Sequence, residues 1–292
     1  MTESAFKLYG IFGFPLGHTL SPVMQEAAFQ ALGLKAFYLP FEVRPEEFRR
    51  LTRRLGALLL DGFNVTVPYK EEMMDCLGAL TREARGIGAV NTVYRQNGRW
   101  IGTNTDLYGF LASLQSEGKF SPRGKKILVL GAGGSARAAV YGLAREGARE
   151  IRIANRRPAR AKALIRDFKP LFRRALFKRL TLKKKDLAQG LEGIDLVVNA
   201  TLVGLKPSDR AILPASLIPR SRGSQGRLLF FDFVYHRETP FLKGAKKRGH
   251  RTLSGGEMLV HQGTEAFRLW TGRKAPVEVM RAAFRQALAR LH

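Results

Sequence analysis

Three clusters of small polar residues interrupt apolar stretches in the first third of the chain. They are His18-Thr19-Leu20-Ser21-Pro22, Asn64-Val65-Thr66-Val67-Pro68-Tyr69-Lys70, and Ala89-Val90-Asn91-Thr92 followed by Thr103-Asn104-Thr105-Asp106. Hydroxyls, carboxamides, one ammonium and one carboxylate at strand ends suit a small, polyhydroxylated acid. A lysine beside an aspartate can exchange a proton with a reacting alcohol, the paired charge tuning its acidity. Taken singly, each residue reads as a cap, a turn former or a solvated charge; the chemical meaning lies in the set. His18 reads as structural rather than as an acid or base.

A second constellation is Leu128-Val129-Leu130-Gly131-Ala132-Gly133-Gly134-Ser135-Ala136-Arg137: an apolar strand, a glycine turn and a helix start. Glycines let backbone approach a phosphate, and the helix N-terminus offers free N–H groups and a positive dipole end. The third glycine position is Ala136, still small enough for close packing. About 20 residues on, NAD-binding sheets carry an acid for the ribose 2′-hydroxyl. Here Ile151-Arg152-Ile153-Ala154 ends in Asn155-Arg156-Arg157, and a guanidinium fork suits a phosphate dianion. The reading is NADP rather than NAD. The plainer alternatives are a structural turn without nucleotide, and two solvated loop arginines in a very basic chain.

The elements that must position these residues alternate strand and helix, the pattern of an α/β protein. Strands are expected at Lys7–Phe14, Ala36–Val43 and Gly62–Val67. Helices are expected from Ser21, read as an N-cap with Pro22 in the first turn, to Leu32, then over Pro45–Leu55 and near Tyr69–Leu77. Ala89–Arg95 and Arg99–Thr103 bracket Asn97-Gly98, a hairpin signal. Beyond Lys125 come a buried parallel strand at Lys126–Leu130, a helix to Glu146, a strand at Glu150–Ala154 and a helix at Pro158–Phe168. Later strands fall at Ile194–Asn199 and Leu228–Asp232, and two helices at Glu257–Trp270 and Val277–Leu291. Gly118–Gly124 reads as a surface loop.

At 292 residues, with 45% hydrophobic and 25% charged residues, the chain is long enough for two globular domains. One cysteine, Cys76, excludes an intramolecular disulfide and a cysteine-rich zinc site; it reads as a packed small hydrophobe. His236, His250 and His261 lack metal-ligand spacing, so no metal is expected. No signal peptide or membrane span is apparent, which leaves the cytoplasm as the default. Lys+Arg 50 against Asp+Glu 24 gives a net charge of +26. That field attracts anions of any kind and fits either a general surface adaptation or a polyanion role. Leu171–Lys185 carries seven cations and no acid. It reads as a solvated face rather than a nucleic-acid patch, because no nucleic-acid module surrounds it.

Over nearly its whole length the chain resembles the shikimate dehydrogenases, in the shikimate/quinate 5-dehydrogenase group. The matching pieces are Gly13-Phe-Pro-Leu-Gly-His18-Thr19-Leu-Ser21-Pro22, Asn64-Val-Thr66-Val-Pro-Tyr-Lys70, Gly88-Ala-Val-Asn91-Thr92, Asn104-Thr-Asp106, Gly131-Ala-Gly-Gly134, Asn155-Arg156, Asn199-Ala-Thr201, Asp232-Phe-Val-Tyr235 and Met258-Leu-Val-His-Gln262. The resemblance implies an N-terminal α/β substrate domain, residues 1–105 plus 256–292, and a Rossmann-type doubly wound NADP-binding domain, residues 106–255. It implies reversible NADPH-dependent reduction of 3-dehydroshikimate to shikimate, in the pathway to chorismate and aromatic amino acids.

Lys70 and Asp106 would be the catalytic pair. Thr19 and Ser21 would bind the substrate carboxylate, and Thr66, Asn91 and Gln262 the ring hydroxyls, with Tyr235 closing the substrate site. Gly131, Gly133, Gly134, Ser135 and Ala136 would carry the pyrophosphate, and Asn155, Arg156 and Arg157 the adenosine 2′-phosphate. Thr201, Val203 and Gly255 would lie near the nicotinamide half. The chain departs from the family where Thr19-Leu20-Ser21 replaces Ser-x-Ser, where Arg157 stands for threonine, Leu107 for glycine, and Ser254-Gly255-Gly256-Glu257 for Asp-Gly-Leu-Gly. These departures bear on the choice between shikimate and quinate. The other outcomes are a quinate/shikimate dehydrogenase with broader substrate or cofactor use, and a non-catalytic ligand-sensing relative. The expected partner is a small-molecule substrate, the expected state a monomer or homodimer.

Overall fold

The computed structural model describes residues 6–17, 19–221, 223 and 226–291. The elements begin β1 (Lys7–Gly13), α1 (Ser21–Ala31), β2 (Ala36–Glu42), α2 (Pro45–Thr52), β3 (Gly62–Val65), β4 (Ala79–Leu80), α3 (Arg82–Ile87), β5 (Thr92–Gln96), β6 (Arg99–Thr103) and α4 (Thr105–Ser116). They continue β7 (Lys126–Leu130), α5 (Gly134–Arg145), β8 (Glu150–Ala154), α6 (Pro158–Phe168), β9 (Leu176–Leu180), α7 (Lys184–Gly190), β10 (Leu196–Asn199), β11 (Leu229–Asp232), α8 (Pro240–Lys247) and β12 (Arg251–Ser254). Helices α9 (Gly256–Thr271) and α10 (Val277–Ala289) close the chain. Two compact units result, one of Met1–Gly109 with Leu259–His292 and one of Phe110–Met258. Among the described residues no helix is long and apolar enough to cross a membrane.

The first unit holds a mixed sheet in the order β2-β1-β3-β5-β6-β4. β1 is parallel to β2 and β3, while β5 runs antiparallel to β3 and β6. The carboxyl ends of β1, β3 and β6 and the amino end of β5 therefore share one edge. Asn97 and Gly98, both at positive φ, make the β5–β6 turn, the left-handed pair that a two-residue hairpin requires. Phe12, Phe48, Phe63, Tyr69 and Met73 fill the core on one face, with Phe48 and Tyr69 stacked at 3.9 Å. On the other face the Trp270 indole of α9 donates to Val93 O at 2.9 Å. Any side chain at Gly62 would collide with that ring.

The second unit is an all-parallel sheet in the order β12-β11-β10-β7-β8-β9. Counted from its own first strand, that is the 3-2-1-4-5-6 order of dinucleotide-binding folds, with the switch point between β7 and β10. Its central strands β7, β10 and β11 read as nearly unbroken apolar runs because both faces are covered. Ile127, Val129, Ile153, Val198 and Phe231 pack against α5, α6 and the Phe110–Leu114 part of α4. Leu128, Leu130, Val197 and Phe230 pack against α7 and α8. Each such fully buried side chain contributes about 1.5–3 kcal/mol.

The structure differs from the sequence reading in several elements. Ser21 is the first helical residue and not the cap; Leu20 occupies the cap without a side-chain bond, and Thr19 Oγ1 accepts from Ser21 N at 3.4 Å instead. The helix expected near Tyr69–Leu77 is a five-residue 3₁₀ run, Glu72–Cys76, with only Met73 buried. Tyr69 and Met73 are buried and Cys76 and Leu77 pack against the same core, so the apolar spacing is met there by a tighter and shorter helical run. β4, α3, α4, β9, α7, α8 and β12 are elements that the sequence reading does not contain. For α4 the signal was present. Asn104 Oδ1 accepts from Leu107 N at 3.3 Å, and Leu107, Phe110 and Leu114, three and four apart, are all buried.

Candidate active site

Lys70 and Asp106 meet in the first unit, with Nζ 2.5 Å from Oδ2 and side chains only 12% and 6% exposed. Asp106 sits in the first turn of α4, where the helix dipole favours a carboxylate. Lys70 follows the β3 strand end and is tied to the segment entering β5 by Val90 N donating to Lys70 O at 2.7 Å. The carboxylate's other oxygen accepts from Asn91 Nδ2 at 2.8 Å. The same amide nitrogen lies 3.1 Å from Thr105 Oγ1 and 3.4 Å from Gln262 Oε1. Asn91 Oδ1 accepts from Thr105 N at 2.6 Å. Three of the substrate-side residues singled out in the sequence, Asn91, Asp106 and Gln262, thus form one buried network with Lys70 at its rim.

A supporting row lies behind it, with no role drawn from the sequence. Thr105 and Thr92 share a hydroxyl contact of 2.8 Å. Asn64 Nδ2 donates to Thr92 Oγ1 at 2.9 Å, and Tyr38 donates to Asn64 Oδ1 at 2.7 Å. Asn64, Thr92 and Thr105 belong to the polar clusters and were visible there. Tyr38 carries no local signal, because only sheet pairing brings it close.

Thr19, Ser21 and Thr66 lie outside these hydrogen bonds. Thr19 and Ser21 open α1 after β1, and Ser21 is buried. Thr66 is half-buried just past β3, its N–H donating to Phe12 O at 2.8 Å. Gly13 makes room for it, since a Cβ there would stand 2.3 Å from Thr66 Cγ2. All three stand at the sheet edge that carries the ion pair. His18 lies outside the described residues.

In the second unit the glycine turn follows β7 as expected. Gly131 has φ +118, and a Cβ on it would meet Ala200 O at 2.9 Å. Gly133 is the extended N-cap of α5, Gly134 and Ser135 begin the helix, and Ala136 is fully buried. No acid occupies the first turn. Asn155, Arg156 and Arg157 follow β8; the arginines are exposed, and Asn155 Nδ2 donates to Arg157 O at 2.9 Å. Thr201 and Val203 form the turn after β10, with Val203 N donating to Thr201 Oγ1 at 3.2 Å. Tyr235 follows β11, half-buried and edge-on to His236. Gly255 follows β12, where a Cβ would stand 2.4 Å from Phe233 O. These residues occupy the carboxyl ends of adjacent parallel strands, where open α/β sheets bind nucleotides. The N-terminal turn of α5, close backbone and two exposed guanidinium groups suit a pyrophosphate and a further phosphate, so the residues present fit NADP.

The family model for the shikimate dehydrogenase substrate binding domain matches residues 11–93. The model for shikimate / quinate 5-dehydrogenase matches 114–237, and that for the shikimate 5′-dehydrogenase C-terminal domain matches 255–283. Shikimate dehydrogenase (NADP(+)) of Methanopyrus kandleri is 43% identical over 282 residues, covering 96% of each chain. The chain belongs to the shikimate dehydrogenase family. Shikimate dehydrogenase (NADP(+)) of Geobacter metallireducens is 41% identical over 285 residues, covering 97% of this chain and 98% of its own. Among solved structures, shikimate 5-dehydrogenase of Thermus thermophilus in complex with NADP(H) and shikimate is 36% identical. It superposes with a TM-score of 0.81 over 96% of this chain and 99% of that one. The likeness to shikimate dehydrogenases therefore spans both units.

Proposed function

We propose that this chain is an NADP-dependent shikimate dehydrogenase. It reversibly reduces 3-dehydroshikimate to shikimate on the way to aromatic amino acids, in the cytoplasm. The observation that carries this reading is the buried Lys70–Asp106 pair, 2.5 Å apart, set among hydroxyl and amide groups in a chain of this family. Residues 1–105 with 256–292 form the substrate domain in this reading, and residues 106–255 the NADP domain.

As its neutral amine, Lys70 takes the hydroxyl proton while the carbinol carbon is oxidised, and in the reverse direction its ammonium form gives that proton to the carbonyl oxygen as the carbon is reduced. Asp106 fixes Nζ through Oδ2, and Asn91, bonded to Oδ1 at 2.8 Å, stops the carboxylate turning away. Thr19 and Ser21 receive the substrate carboxylate. Thr66, Asn91 and Gln262 receive the ring hydroxyls, and Tyr235 closes over the substrate. Gly131, Gly133, Gly134, Ser135 and Ala136 hold the pyrophosphate; Asn155, Arg156 and Arg157 surround the 2′-phosphate. Thr201, Val203 and Gly255 flank the nicotinamide. The nicotinamide, when bound, supplies or takes the hydride.

The experiment is a substrate and cofactor panel, shikimate and quinate each with NADP and NAD, followed by nicotinamide absorbance. Shikimate with NADP is expected to give the highest kcat/KM. No turnover with any combination rejects the enzyme reading, and a quinate optimum moves it to the quinate side of the group.

A further inference from the structure

Asn199 ends β10 and Asp232 ends β11, and the sheet register sets them side by side. Both are fully buried, as is Thr239. Asp232 Oδ1 accepts from Asn199 Nδ2 at 3.0 Å and from Val234 N at 3.1 Å. Its Oδ2 accepts from Thr239 Oγ1 at 2.6 Å. A carboxylate only accepts, so it dictates the orientation of every donor around it. The Asn199 amide must turn its nitrogen to Asp232, where it also reaches Val203 O at 3.0 Å. Asn199 Oδ1 is then left to accept from Thr201 N at 3.1 Å and Thr201 Oγ1 at 2.7 Å. The Thr239 hydroxyl must donate to Asp232, leaving a lone pair for Leu242 N at 3.3 Å, the cap of α8.

We propose that Asp232 is a positioning residue for the cofactor: through Asn199 it sets the Thr201–Val203 turn, and through Val234 the Tyr235 turn. The proposal rests on the NADP reading of those turns. Every partner of the carboxylate is neutral, and burial pushes its acidity to about 6 against three opposing hydrogen bonds. A buried carboxylate that faces only neutral partners costs stability that a neutral side chain would not. The charge is kept because an amide at 232 would no longer compel the donors. Facing Thr239, its nitrogen would leave the hydroxyl proton without an acceptor; reversed, it would release Asn199.

The test uses the full chain with Asp232→Asn, isosteric and neutral, and Thr239→Val as a control that removes the Oδ2 leg together with the helix cap and leaves the carboxylate's bonds to Asn199 and Val234 in place. Amide hydrogen exchange without cofactor is expected to quicken at residues 201–205 and 233–236 in Asp232→Asn and to stay unchanged elsewhere in the sheet. The KM for NADP is expected to rise about tenfold, equivalent to about 1.4 kcal/mol, with the KM for shikimate within about twofold of wild type. Thr239→Val is expected to lower the melting temperature while holding the KM for NADP. Unchanged exchange at 201–205 overturns the lock. Faster exchange with an unchanged KM for NADP overturns the cofactor role, and an equal rise in Thr239→Val reduces the effect to general destabilisation. A wild-type chain that binds no NADP overturns the cofactor role and the proposed function together, while the exchange data still judge the lock.

Discussion

Lys70 and Asp106 stand 36 positions apart in the chain and 2.5 Å apart in space, and removing either leaves the other's charge in a nearly closed site. Lys70→Ala is expected to lower kcat by about 10²–10⁴-fold, the range for a lost general acid–base group, with the far-ultraviolet spectrum unchanged. Turnover within tenfold of wild type would remove Lys70 from the chemistry. Replacing Arg156 and Arg157 together by alanine is expected to raise the KM for NADP by about 10–100-fold, because charge-assisted bonds to phosphate are worth about 1.5–3 kcal/mol each. The KM for NAD is expected to change less than threefold. Equal shifts for both cofactors would contradict the 2′-phosphate assignment. Asp232 carries a stability prediction as well. Burial raises its carboxyl from 3.8 to about 6 on folding, so the folded state holds the proton more tightly than the unfolded one. The penalty is fully present above about pH 6, at roughly 3 kcal/mol, and fades as pH falls toward 3.8. Relative to Asp232→Asn, wild type is therefore expected to gain about 1–2 kcal/mol of unfolding free energy between pH 8 and pH 5, measured by urea titration.

At the scale of elements, two glycines and one arginine hold the second unit's strand ends. Gly131 and Gly255 face backbone carbonyls at distances no Cβ tolerates, and Gly131 also has positive φ. Gly131→Ala is expected to weaken dinucleotide binding by at least tenfold, since strain of about 1–3 kcal/mol moves the turn after β7 away from α5's N-terminus. Arg152 of β8 is buried; its Nη1 donates to the carbonyls of Gln189, Gly190 and Glu192 at 2.9–3.0 Å, and its Nε to Glu150 at 2.5 Å. It caps α7's C-terminus, where orphan carbonyls need donors. Arg152→Met is expected to destabilise by about 3–5 kcal/mol by chemical denaturation, the range for a broken buried pair. Lys178, 3.2 Å from Glu150, softens the loss. The glycine turn and its flanking strand were legible in the residues, because close backbone approach leaves glycine as its mark. The arginine's role was not, because three carbonyls leave no mark in side-chain identity.

For the molecule as a whole, the excess of +26 acts on anionic ligands before any of them docks. The KM for NADP is expected to rise several-fold between about 0.05 and 0.5 M KCl, as the screening length drops from about 14 Å to about 4 Å. The KM for singly charged shikimate is expected to rise less, and a flat response for both would show that the field plays no part. The basic stretch from Leu171 to Lys185 contains β9, one of the two edge strands of its sheet. Lys178 and Arg179 are exposed along it. Cations on an edge strand discourage pairing with a second sheet, which accounts for part of the charge without a polyanion.

Residue type and short-range spacing by themselves determined the alternation of strand and helix, the glycine turn with its arginine-bearing successor, and the polar clusters from which Lys70, Asn91 and Asp106 stood out. Those features are local: periodicity, backbone freedom and side-chain chemistry are written at the position where they act. Only the tertiary structure decided that Lys70 and Asp106 pair, that Gln262 joins them from a helix more than 150 residues on, and that Asn199 and Asp232 sit in register. Contacts between distant segments are set by strand order and burial, which emerge when the whole sheet assembles and not from any one stretch of it.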